Sequence, residues 1–166
     1  MALIQLTTRI AAPVERVFDL ARSVEAHTAS VSQTGEIAID GKTSGLVEEG
    51  DTVTWEATHF GIKQRLKVQM TQVERPSMFE DRMVFGAFSS MSHQHRFEEK
   101  DGETEMRDRF EFQAPLGILG RIAERLFLTR YMTTFLQMRN EGLKELAESD
   151  RWRRFLEKDA HYDGDR

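Results

Sequence analysis

The sequence predicts an α+β domain in which an antiparallel sheet is covered on one face by a long C-terminal helix. Three observations point there. From Asp51 to Phe112 five consecutive segments alternate apolar and polar residues with a period of two, as half-buried strands do. Gly61, Pro76, Gly86 and Gly102 fall in the breaks between them, where a meander needs its turns. After Pro115 the apolar period lengthens to that of a helix and continues to Leu146.

In chain order, LIQLTTRI (residues 3–10) places Ile4, Leu6 and Ile10 on one side and reads as a strand. In AAPVERVFDLARSVEAH, Pro13 suits the first turn of a helix, where a missing N–H costs nothing, and Val14, Val17, Phe18 and Ala21 share one face. Ser23 is placed to cap a second short helix ending near His27. A short apolar strand, EIAID, follows Gly35, and the loop GKTSGLVEEGD leads into the meander. The GKT at Gly41–Thr43 is not a phosphate loop. That motif needs a glycine five residues before Gly41, where Glu36 stands, and a helix after the threonine, where Ser44 and Gly45 stand.

The meander's inner face follows from parity. DTVTWEATHF turns Val53, Trp55, Ala57 and His59 one way, and IKQRLKVQMTQV contributes Ile62, Leu66, Val68 and Met70. FEDRMVF adds Phe79, Asp81, Met83 and Phe85, MSHQHRF adds Met91, His93, His95 and Phe97, and TEMRDRFEF adds Met106, Asp108, Phe110 and Phe112. The opposite faces are nearly all polar, so one face is wet and one is covered.

In the covering segment, Leu119, Ile122, Ala123 and Leu126 form one helical stripe, whereas Leu128, Met132, Phe135, Leu136, Leu143 and Leu146 lie on roughly the opposite side. The mismatch predicts a break near residues 127–131, with a short lead-in that Gly117 and Gly120 would let move as a gate, ahead of one long helix. RWRRFLEK holds Trp152, Phe155 and Leu156 at helical spacing among basic residues and reads as an extension of that helix packed on its own protein, with a frayed polar end. The expected organisation is a domain over residues 1–148 and a charged helical extension and tail over 149–166.

Composition narrows the function. Cysteine is absent, which removes disulfides, thiolate nucleophiles and cysteine-bound metals together. A net charge of −5 and a pI near 5.6 argue against a nucleic-acid partner, which usually meets a basic face. No apolar run is long enough for a stable membrane insertion, and MALIQLTTRI lacks the features of an export signal, so a cytoplasmic location is expected.

The chemistry concentrates in His93 and His95, which alternation places on the covered face roughly 7 Å apart along the strand. A turn at Gly86 sets His93 opposite Asp81 and His95 opposite Phe79. A turn at Gly102 sets His93 opposite Asp108 and His95 opposite Met106. A turn at Phe60 and Gly61 leaves His59 opposite Ile62, away from His93, which speaks against a three-histidine site. The result is a row, Asp81, His93, Asp108, with cross-strand neighbours about 5 Å apart. Two carboxylates flanking one imidazole read first as an ion-pair network lining a pocket. They would favour the protonated ring, so a raised pKa is expected for His93. Ligand orientation or acid–base catalysis comes second, and a metal site of two histidines and a carboxylate third. Such groups are costly to bury dry, which points to a wet cavity. Around them stand Trp55, Met70, Phe79, Met83, Met91, Met106 and Phe110, which fill a core or line an adaptable small-molecule pocket.

The order of elements, with IAAPVERVFDL in the first helix and the run FEDRMVFGAFSSMSHQHRFEEKDGETEMRDRFEFQAPLG, resembles the helix-grip superfamily of START lipid-transfer domains, Bet v 1 plant allergens and polyketide cyclase/dehydrases, the SRPBCC group, over about residues 2–147. The resemblance implies a curved seven-stranded sheet gripping the long helix, with a cavity between them for a hydrophobic ligand. GKTSGLVEEG is a loose counterpart of the glycine-rich loop of the plant members, and no residue here matches the catalytic groups of the aromatase/cyclases.

The expected function is therefore binding of a small hydrophobic or amphipathic molecule, such as a lipid or polyketide, with Asp81, His93, His95 and Asp108 orienting its polar group. One alternative is a cyclase- or dehydrase-type enzyme in the same cavity, with His93 or His95 as general acid/base. Another is a protein-interaction module using the outer surface or the tail. No cofactor and no resident metal are expected, and the sequence is compatible with a homodimer.

Overall fold

In the computed structural model, residues 1–115, 117 and 127–157 are described. The elements are β1 (Ala2–Ile10), α1 (Val14–Arg22), α2 (Val24–Ser30), β2 (Ile37–Gly41), β3 (Thr52–His59), β4 (Ile62–Glu74), β5 (Met78–Phe85), β6 (Ser90–Lys100), β7 (Glu103–Gln113), α3 (Thr129–Glu148) and α4 (Arg153–Leu156). The strands form one antiparallel sheet in the order β1-β7-β6-β5-β4-β3-β2, so the first two strands are its opposite edges. The 20-residue α3, about 30 Å long, packs against β1, α1 and α2. This is the helix-grip layout that the element order implied.

Turn chemistry sets the register at two hairpins. Phe60 and Gly61 both have positive φ, 54° and 74°, and close β3 onto β4 with His59 opposite Ile62. Asp101 and Gly102, at 56° and 80°, do the same for β6 and β7 and place Lys100 opposite Glu103. A two-residue turn centred between Asp101 and Gly102 corrects the expected β6–β7 register by two residues. His95, not His93, lies opposite Asp108, and His93 lies opposite Phe110. A shift of two preserves parity, so every side chain keeps its face. On the other side the expected pairs His93–Asp81 and His95–Phe79 are both present.

Curvature comes from bulges, where one extra residue bends a strand. Register shifts set Thr71 as the extra residue of β4 and Val84 as the extra residue of β5. The second one overturns a sequence expectation. Beyond Val84 the alternation of β5 is reset, so Phe85 pairs with the outward Lys67 and is 64 % exposed instead of facing inward. Ile62 is likewise exposed, at the turn end of its hairpin.

The helices are positioned by caps and close approaches. Ser23 ends α1 and begins α2, its Oγ accepting from the Ala26 N–H at 3.2 Å; α2 continues to Ser30, one turn past the expected end. From α1 the fully buried Phe18 meets Phe79 and Phe97 edge-on at 5.7 and 5.3 Å. Gly142 lets α3 approach α2, since a Cβ there would lie 2.6 Å from the Ser30 carbonyl oxygen. Leu136, Leu143 and Leu146 are buried, and Leu128, Met132 and Phe135 partly so. The expected stripe of Leu119, Ile122, Ala123 and Leu126, and the gate at Gly120, lie outside the described residues.

The tail does not simply continue α3. Ser149 adopts an extended conformation (φ −105°, ψ 165°) and breaks the helix, and a 3₁₀ turn at Asp150–Trp152 leads into α4. Trp152, Phe155 and Leu156 still pack against the core, and the Arg16 guanidinium stacks 4.3 Å from the Trp152 ring. No described helix is long and apolar enough to cross a membrane.

Candidate functional site

Between the concave face of the sheet and α3 lies a cavity of about 380 Å³. Its wall is mostly apolar. Trp55, Met70, Phe79, Met91 and Phe110 from the strands and Leu136 from α3 contribute to it, and Asp81, His93, His95 and Arg139 form a polar patch on it.

That polar patch is organised by Asp108 of β7. Its Oδ1 lies 3.0 Å from His93 Nε2, 2.7 Å from His95 Nδ1 and 3.1 Å from Arg139 Nη2, and its Oδ2 accepts from Asn140 Nδ2 at 2.6 Å. Asn140 also donates to Thr8 Oγ1 on β1 at 3.1 Å, and its own Oδ1 accepts from Arg139. Three strands and the helix are thereby tied to one carboxylate. Arg139 and Asn140 reach it because they occupy the turn between Leu136 and Leu143 on the sheet-facing stripe of α3. Asp108 is 3 % exposed, and a charge so buried is tolerable only when fully paired, as it is here.

Electrostatics follow from this geometry. Burial alone would push the Asp108 carboxyl up, but the Arg139 charge and the hydrogen bonds from His93 and His95 override it and hold the carboxyl well below its usual range. His95 is driven well below the usual histidine value, first by burial and then by its charge interactions with His93 and Arg139, against the pull of Asp108. A neutral His95 next to an ionised carboxylate must carry its proton on Nδ1 and donate it to Asp108, which leaves a lone pair on Nε2. The 3.4 Å approach of Arg139 Nη2 to that Nδ1 is then a packing contact between two donors. Asp81, whose side chain is 17 % exposed, stands 3.8 Å from His95 Nε2; burial pushes its carboxyl up, partly countered by His93, Arg139 and His27.

Two further polar pairs border the cavity. His27 Nε2 meets Glu36 Oε1 at 2.7 Å with its ring 4.2 Å from Trp55. His59 Nδ1 meets Tyr131 Oη at 2.7 Å. Burial pulls His59 below the usual histidine value, opposed by Glu36, and raises the Tyr131 hydroxyl, with Glu36 acting the same way. Around this pair Phe60 packs on Tyr131 at 4.4 Å and on Phe127 at 5.1 Å.

Of the residues singled out from sequence, Trp55, Met70, Phe79, Asp81, Met91, His93, His95 and Phe110 lie on the cavity wall. Three do not. Met106 is fully buried between Phe97 and Thr8, Met83 packs against the core beside Gly86, and Asp108 stands behind the two histidines. The expected row Asp81, His93, Asp108 is replaced by a chain in which His95 links Asp81 to Asp108, because the β6–β7 register moved. Sequence reasoning missed Arg139 and Asn140. Their signal was present: two polar residues at the spacing of the apolar stripe, between Leu136 and Leu143.

The fold and the mostly apolar cavity with its polar patch define a class, and comparison with known proteins gives the family. The chain belongs to the family described as polyketide cyclase / dehydrase and lipid transport, whose model matches residues 1–148. No curated protein matches it. Among solved structures, a protein of Thermus thermophilus superposes with a TM-score of 0.71 at 19% identity, covering 87% of this chain and 95% of that one. A Chromobacterium violaceum protein gives 0.69 at 14% identity, covering 89% and 98%. The major latex-like protein 151 of Panax ginseng gives 0.65 at 14% identity, also covering 89% and 98%. At these identities the likeness is one of fold.

Proposed function

We propose that this protein is a cytoplasmic binding protein for a small hydrophobic or amphipathic molecule held between the sheet and α3. Residues 1–148 carry the binding, and 149–166 serve as an extension. The observation that carries this reading is the contrast within one cavity: a wall of Trp55, Met70, Phe79, Met91 and Phe110 around a buried polar patch formed by Asp81, His93, His95 and Arg139. An apolar body gains about 25 cal/mol per Å² of surface removed from water, while the patch meets a polar group on the ligand and fixes its orientation. Asp108 and Asn140 hold the patch in place from behind. A thermal-shift panel of fatty acids, sterols and aromatic polyketides is expected to contain compounds that raise Tm. No shift with any member would contradict the reading.

Cyclase- or dehydrase-type catalysis is a second reading. It is favoured by the Asp108–His95 pair, since a ring held at Nδ1 with Nε2 toward the cavity has the arrangement of an oriented general base. Replacing His95 by Gln would then abolish turnover of a candidate substrate while leaving its binding mostly intact. Equal loss of both would count against catalysis.

A further inference from the structure

We propose that Asp81, His93 and His95 form a binding site for a divalent transition-metal ion, open to the cavity. The three residues stand on neighbouring strands, with Asp81 of β5 directly opposite His93 of β6 and His95 next on the same face. Each offers one ligand atom, and these atoms all lie within 4.8 Å of one another. Zinc-like ions hold imidazole nitrogen and carboxylate oxygen at about 2.0–2.2 Å, so ligands around one ion stand about 3–3.5 Å apart. His95 Nε2 and Asp81 Oδ2 are 3.8 Å apart, within a small side-chain rotation of that spacing.

A separate observation supports the site. Asp108 lies against one nitrogen of each ring, Nε2 of His93 and Nδ1 of His95, and is itself anchored by Arg139 and Asn140. Metal-bound histidines are usually held this way, with a carboxylate on the far nitrogen fixing tautomer and orientation. The nitrogen that remains on each ring is uncommitted among the described residues. Asp81 has the matching property: its ion-pair partner among the described residues is His95, at a distance too long for a hydrogen bond. The other two cavity histidines are engaged, His27 with Glu36 and His59 with Tyr131.

Two nitrogens and one oxygen, with no cysteine in the chain, suit zinc, cobalt and ferrous iron. A three-ligand set leaves a coordination position toward the cavity, where water or an oxygen of a bound molecule completes it. The site stands on its own ligands and not on the identity of any cavity ligand. An ion on His95 Nε2 would take the lone pair that the second reading above requires, so the two roles exclude each other.

The test uses the full chain prepared without a histidine tag, stripped with EDTA and titrated with Co²⁺, followed by competition with Zn²⁺. The expected result is a visible d–d absorption band that saturates at one equivalent and is displaced by zinc. Asp81→Asn and His95→Gln should each weaken cobalt binding at least tenfold, whereas Glu98→Gln, on the exposed face of β6, should leave it unchanged. No band in the folded wild-type protein, or equal binding by Asp81→Asn, would overturn the proposal and mark any metal as adventitious. Asp81→Asn is decisive if His95→Gln does not fold, because the Asp81 carboxylate is spent on no hydrogen bond among the described residues. A lipid that binds the stripped protein would leave the cavity reading standing whatever the cobalt result.

Discussion

Asp108 of β7 lies directly opposite His95 of β6, and its Oδ1 sits 2.7 Å from His95 Nδ1. The same oxygen receives Arg139 from α3 at 3.1 Å, so this one pair couples the sheet to the helix that covers it. Removing the charge strands a buried guanidinium. Asp108→Asn is therefore expected to cost about 3–5 kcal/mol in urea denaturation, and adding Arg139→Met should restore part of the loss. A change below about 0.5 kcal/mol would show that the network contributes little.

Gly142 makes a prediction of the opposite kind, from space and not charge. A Cβ there would meet the Ser30 carbonyl oxygen at 2.6 Å and Ser30 Cα at 2.9 Å, both backbone atoms. Gly142→Ala should destabilise by about 1–3 kcal/mol despite the better helix propensity of alanine. An unchanged or raised denaturation midpoint would mean that α3 and α2 are not so closely apposed.

His59 sets a pH dependence. Its folded value lies below the usual 6.5 because burial disfavours the charged ring, with Glu36 opposing. The unfolded chain then binds the proton more readily, so the stability this group contributes is present above about 6.5 and is lost as pH falls from there through the lower folded value. Ring resonances of His59 followed by NMR should titrate below 6.5. A midpoint at or above that value would contradict the assignment, and Tyr131→Phe should perturb it through loss of the 2.7 Å contact.

Much of this architecture was legible because parity is robust. The two-residue slip in the β6–β7 register left His93, His95, Asp108 and Phe110 on the covered face, where alternation had placed them. What parity does not see is an inserted residue. The bulge at Val84 turned Phe85 outward, and no residue in FEDRMVF marks it. Nor does parity separate lining from filling: Met106 and Phe110 alternate identically along β7, yet only Phe110 reaches the cavity. Arg139 and Asn140 were missed for another reason. Attention to the apolar members of a helical stripe passes over polar residues that share it, although a charge at a core-facing position is itself informative.

Ala57, buried on the inner face of β3 and part of the cavity wall, offers a way to fill the space without touching the polar patch. Ala57→Phe should reduce ligand-induced thermal shifts while leaving the unliganded stability within about 1–2 kcal/mol of the parent. Undiminished shifts would place the bound molecule elsewhere.

Native mass spectrometry of the freshly purified protein bears most directly on whether the space under α3 holds a guest. The account predicts a mass excess of one small organic molecule that vanishes on denaturation and is reduced in Ala57→Phe. A bare polypeptide mass in every preparation, with no lipid or polyketide taken up when offered, would contradict it.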